Sequence, residues 1–106
     1  MKFCYMYLTC DAKEADKLID VLLQKRLIVC AKKIPVNATY WWEGEVEKAA
    51  EVMLMMESAE EIFDAVEAEL KEIHSYDTFV LTAVPMVKVS KDAEKWLRKN
   101  LQGAQE

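Results

Sequence analysis

His74 is the chain's single histidine and stands in the run His74-Ser75-Tyr76-Asp77. Imidazole is a common donor for copper and zinc, and it binds through the lone pair of its neutral form. Cys10, just after the first apolar run, is a second candidate, because a thiolate suits a soft metal. One histidine and one thiol do not complete a site, so a metal held by His74 and Cys10 needs donors from symmetry-related copies of the chain. The alternative for His74 is structural: a residue near a helix end that complements the negative pole of the helix.

Trp42, Glu43, Glu47, Tyr76 and Asp77 form a second constellation, in which a turn and a helix-to-strand junction place aromatic walls beside carboxylates. Carboxylate oxygens suit a hard cation. The competing reading makes Tyr40, Trp41, Met53 and Met55 a subunit interface, with Trp42 joining it and with Glu43 and Glu47 merely solvated. The run Met53-Leu54-Met55-Met56 invites a copper(I) reading through thioether sulfur. Alternation, however, puts Met53 and Met55 on one sheet face and Leu54 and Met56 on the other, which reads as two layers of packing.

Catalytic patterns are missing. The sequence holds no G-x-S-x-G elbow and no H-E-x-x-H, and its two glycines cannot build a phosphate-binding loop. Pairing Cys10 or Cys30 with His74 lacks a third, orienting group. The expected chemistry is binding without turnover.

The elements that must position these residues follow from periodicity. Lys2 to Thr9 reads as a buried strand, and Ala15, Leu18, Ile19, Leu22 and Leu23 recur at helical spacing to about Arg26, opened by a capping box of Asp11 with Glu14. Leu27 to Ala31 is a second apolar strand, interrupted by Lys32, Lys33 and Pro35, after which Val36 to Glu43 alternates towards a turn at Gly44. The return strand from Glu45 or Val46 towards Glu57 spans roughly 40 Å, so it bends or leaves its own domain. A second capping box, Ser58 with Glu61, opens a helix striped by Ile62, Phe63, Val66, Leu70 and Ile73. Thr78 to Val84 is the last main strand, Pro85 breaks it, and Ser90 caps a final helix carrying Trp96, Leu97 and Leu101 that Gly103 stops.

This order predicts an α+β fold, the ferredoxin-like βαββαβ arrangement with an added C-terminal helix, in one domain over residues 1–106. Helices cover one sheet face only, so the other face and the long hairpin imply a closed homo-oligomer. Nineteen acidic against 14 basic residues give a net charge of -5, which argues against nucleic acid as a partner. The apolar run Phe3 to Leu8 is too short for a membrane span or a signal-peptide core, so the expected location is cytoplasmic, with Cys4, Cys10 and Cys30 reduced.

Five segments in order carry a resemblance: Leu27-Ile28-Val29-Cys30-Ala31, Tyr40-Trp41-Trp42-Glu43-Gly44-Glu45-Val46, Glu51 with its apolar strand, His74-Ser75-Tyr76-Asp77, and Trp96-Leu97. Over nearly its whole length the chain resembles the CutA family, associated with divalent-cation tolerance. The resemblance implies a homotrimer closed by edge-strand pairing and the binding of copper or another divalent cation. It is also similar in topology to PII-like trimers, which gives the alternative of a small-molecule sensor or interaction scaffold. The chain departs from the family pattern at Lys32, where Asn is usual, at Glu57-Ser58, where Lys-Thr is usual, and at Ser75 and Phe79, where prolines are usual. The loop after the first strand also looks shortened. Glu57 in place of a lysine either makes a cleft friendlier to a cation or adjusts a salt bridge.

Overall fold

Strand β1 (Phe3–Cys10) alternates as the period of a strand requires: Cys4, Met6, Leu8 and Cys10 are buried, and Tyr5, Tyr7 and Thr9 between them are half-buried. The computed structural model describes residues 1–102. After β1 come α1 (Ala15–Gln24), β2 (Cys30–Trp42), β3 (Glu45–Ala59), one 3-10 turn (Glu60–Ile62), α2 (Phe63–Ile73), β4 (Leu81–Pro85) and α3 (Lys91–Asn100). The sheet order is β2-β3-β1-β4, with every neighbouring pair antiparallel. This is the ferredoxin-like α+β fold with an added C-terminal helix. The stop assigned to Gly103 lies outside the described residues.

One apolar cluster holds the subunit together. Cys4, Met6 and Leu8 of β1 and Leu54 and Met56 of β3 meet Leu18 and Leu22 of α1, Val66 and Leu70 of α2, and Leu97 of α3. The cross-strand register puts Leu8 opposite Leu54 and Met6 opposite Met56, so these side chains share a face. Tyr5, Tyr7, Met53 and Met55 share the other, where they are only half-buried, and Ile34 and Val84 are more open still. That second face is the one the sequence left uncovered.

The β1–β3 ladder ends at Cys10 opposite Val52, but the β2–β3 ladder continues from Val36 opposite Glu51 to Trp42 opposite Glu45. Residues 36–51 thus form a two-stranded arm beyond the body, and the subunit is 47 Å long against 26 and 21 Å in its other dimensions. At its tip Glu43 and Gly44 have φ of 50° and 82°. Two central residues with positive φ mark a type I′ hairpin, whose twist matches that of the flanking strands. Among the described residues, no heavy atom beyond the two chain neighbours lies within 4 Å of a Cβ built on Gly44, so backbone conformation, not space, favours glycine there.

Several boundaries differ from expectation. β2 runs unbroken through Lys32, Lys33 and Pro35, because it is an edge strand, where a missing N–H is tolerated on the outward side. Leu27 and Ile28 precede it in irregular structure, though both are buried. Residues 78–80 lie outside β4, which pairs with β1 only between Leu8–Leu81 and Cys4–Pro85, so Pro85 ends that strand from within. Neither capping box forms. Asp11 accepts the Lys13 N–H in a turn and α1 begins only at Ala15. Ser58 is buried inside β3, where its hydroxyl donates to the Leu27 carbonyl at 2.7 Å, and Glu61 accepts the Lys2 N–H. Ser90 does precede α3, but its hydroxyl makes no capping bond. Trp96 is largely exposed, whereas Leu97 and Leu101 are buried.

Candidate functional site

His74 follows the last turn of α2, and its side chain is fully buried. Its Nδ1 accepts the Tyr76 N–H at 3.0 Å, and its Nε2 lies 3.0 Å from the Thr9 carbonyl oxygen. An oxygen acceptor requires Nε2 to carry the proton, which assigns the neutral tautomer with Nδ1 as acceptor. Both ring nitrogens are then engaged, so His74 has no lone pair for a metal unless one of these bonds opens. The ring stacks on Phe79 at 5.2 Å and 13°, and Tyr76 leans on it at 4.7 Å. The bond to Thr9 lies just past Leu8–Leu81, the last β1–β4 pair, and fastens the 74–77 loop to the end of β1.

Glu14, at capping-box spacing from Asp11, grips this loop instead. Its carboxylate accepts both the N–H and the hydroxyl of Ser75, and it lies 3.4 Å from His74 Nδ1. Tyr76 donates its hydroxyl to Glu51 Oε2 at 2.6 Å. Burial first, then the Glu51 hydrogen bond and charge, push the Tyr76 phenol well above its ordinary pKa, so it remains a donor. A carboxylate three residues after Asp11 and next to the first apolar position of a helix has the spacing of a capping box, so local pattern alone does not reveal the partner that Glu14 finds in Ser75.

Cys10 is buried at the end of β1. Burial, followed by the charges of Glu14, Glu51 and Asp11, raises its thiol to about 11, so the thiolate that would bind a soft metal is disfavoured. Among the described residues no three His, Cys, Asp or Glu side chains stand close enough to hold a metal ion. The described donors of one chain therefore do not converge on a divalent cation.

The second constellation is divided as well. Tyr76 sits at the base of the arm beside Glu51, whereas Trp42 pairs with Glu45 next to the tip turn at Glu43, and Glu47 pairs with Tyr40. Six residues separate Glu45 from Glu51, about 20 Å of strand. Tyr76 and Asp77 thus do not share a cleft with Trp42 and Glu43 within one subunit. Of the interface candidates, Tyr40, Met53 and Met55 fall on the uncovered face, where the Tyr7 hydroxyl lies 3.6 Å from the Met55 sulfur. Trp41 lies opposite Val46 on the other side of the ribbon and is 75% exposed.

Cys30 stands on the uncovered face, with Lys32 Nζ at 3.8 Å from its sulfur and at 2.9 Å from Glu57 Oε1. Two surface grooves lie elsewhere: about 510 Å³ beside Phe3, Met86 and Val89, and about 310 Å³ between Arg26 and Trp96. No helix among the described residues is long and apolar enough to cross a membrane.

The fold and this arrangement define a class: a ferredoxin-like subunit with one uncovered sheet face, an aromatic hairpin arm and a loop clamped at its base. The sequence profile described as CutA1 divalent ion tolerance protein matches residues 4–100, and the chain belongs to that family. The divalent-cation tolerance protein CutA of Pyrococcus horikoshii is 34% identical over 87 residues, which cover 82% of this chain and 85% of that one. The Archaeoglobus fulgidus protein of the same name is 32% identical over 94 residues, 88% and 92% of the two chains. A solved structure described as the periplasmic divalent cation tolerance protein CutA from Archaeoglobus fulgidus superposes with a TM-score of 0.90, covering 94% of this chain and 99% of that one at 30% identity. CutA1 from Oryza sativa gives 0.93 at 25% identity, covering 97% and 96%.

Proposed function

We propose that the protein is a homotrimeric divalent-metal-binding protein, with copper as the leading ion, that serves metal-ion tolerance by binding without turnover. The observation that carries this reading is the half-buried apolar face of Tyr5, Tyr7, Met53 and Met55, continued by the aromatic arm, which nothing among the described residues covers. A face of that kind favours association with further copies. The family's association with divalent cations, the net charge of -5 and the carboxylates along the arm support a cation as ligand. Since the donors of one chain do not meet, the reading places the metal between subunits, with His74 and Cys10 taking part only if their present bonds open. The three unpaired cysteines, Cys4, Cys10 and Cys30, favour a reducing compartment, and we place the protein in the cytoplasm.

Calorimetric titration of copper and zinc into reduced, chelator-stripped protein tests this reading. Saturation at a simple fraction of the trimer supports it. Weak, non-saturating heat rejects metal binding in favour of a PII-like sensor or scaffold.

A further inference from the structure

The arm leaves the body at one place: Val52 is the last β3 residue paired with β1, and Glu51 is the first beyond it. Among the described residues, one side-chain hydrogen bond joins residues 36–51 to the rest of the subunit, the 2.6 Å bond from the Tyr76 hydroxyl to Glu51. It falls at the hinge, where a small change of angle is carried along about 20 Å of strand towards the tip. Tyr76 is itself immobilised. Its N–H is bound by His74, whose ring is anchored on Thr9, and the preceding Ser75 is held by Glu14 through backbone and side chain.

We propose that Tyr76 is the positioning residue of the arm: through Glu51 it transmits the rigid placement of the 74–77 loop to the direction of the β2–β3 ribbon. A hydroxyl donating to a carboxylate is a charge-assisted bond, stronger than a neutral one. Its removal loosens the base of the arm, so that the β2–β3 ladder of residues 36–51 opens more readily, while leaving the β1–β3 ladder intact. The proposal depends neither on trimer formation nor on metal.

Hydrogen exchange of the full chain, at matched concentration, tests it. Tyr76→Phe is expected to speed exchange of the slow amides in residues 36–51 about tenfold, as loss of a hydrogen bond to a charged group implies, and to leave residues 52–59 unchanged. Glu51→Ala should reproduce this effect, and the double variant should add nothing. Glu51→Gln keeps a neutral acceptor for the hydroxyl and should restore part of the protection. Unchanged exchange in the arm of Tyr76→Phe would overturn the proposal. So would acceleration spread evenly over arm and core, or failure of Glu51→Gln to protect better than Glu51→Ala.

Discussion

Lys32 Nζ lies 2.9 Å from Glu57 Oε1, a diagonal ion pair across the β2–β3 ladder on the uncovered sheet face. The resemblance marks both as departures from the family pattern, and here they satisfy each other. The other departures are partnered as well. Ser58 donates to the Leu27 carbonyl, Ser75 gives Glu14 an N–H that a proline would lack, and Phe79 stacks on His74. Of the two roles open to Glu57, the salt bridge is the one formed within the subunit.

The Glu57 hydrogen bond, more than any other influence, raises the Lys32 ammonium above its ordinary pKa, against a smaller opposing effect of burial. Its contribution to stability is fully present below the unfolded lysine value, about 10.4, and is lost as pH rises through the folded value. Lys32→Met is expected to lower stability by about 0.5–1 kcal/mol at pH 7, with the gap from wild type closing above pH 10.5. Urea melts at pH 7 and pH 11 check both statements.

Ser58 is fully buried, and its 2.7 Å bond ties β3 to the segment before β2. Ser58→Ala removes a buried hydrogen bond and is expected to destabilise the fold by about 1–3 kcal/mol. The shift in the urea midpoint gives this directly; a change below 0.3 kcal/mol, far under the cited range, would show that the carbonyl finds another partner.

At the hairpin tip, Glu43 occupies a left-handed conformation that a side chain resists and Gly44 one that suits glycine. Glu43→Gly should therefore stabilise by up to about 1 kcal/mol, whereas Gly44→Ala should destabilise by about 1 kcal/mol. Thermal melts of the pair at neutral pH test the opposite signs.

These residues also mark how far the sequence could be read. The helical stripes of Leu18 and Leu22 and of Val66 and Leu70 are local patterns, and both helices formed with those residues buried. The turn at Gly44 was legible for the same reason. What failed was anything decided by distant partners. Glu14 and Glu61 carry the spacing of capping boxes, yet Ser75 and Lys2, each about 60 residues away in the chain, claim their carboxylates. Pro35 and two lysines looked like a strand break because nothing in the local pattern says that β2 lies at an edge. The candidate cleft is divided within one subunit: a turn and a helix-to-strand junction suggest convergence, but the length of the arm carries Trp42, Glu43 and Glu47 away from Tyr76.

Cys4 and Cys10 offer a chemical check. Burial, then nearby carboxylates, raise each thiol from 9.0 to about 11. A raised thiol pKa means that the folded state holds the proton more tightly, so this contribution is intact below pH 9 and declines as pH rises through 11. At pH 8 both thiols should react with iodoacetamide at least about tenfold more slowly in the folded protein than in urea. Equal rates would show that the β1 face is open.

The proposed function requires copies of this chain to assemble and to bind a divalent cation together. Native mass spectrometry of the chelator-stripped, reduced protein, with and without a small excess of copper(II), reads both features at once. The expected species is an ion of three 12.3 kDa chains that takes up a fixed small number of copper ions and then saturates. A single 12.3 kDa chain with a graded, unsaturating ladder of adducts would contradict it.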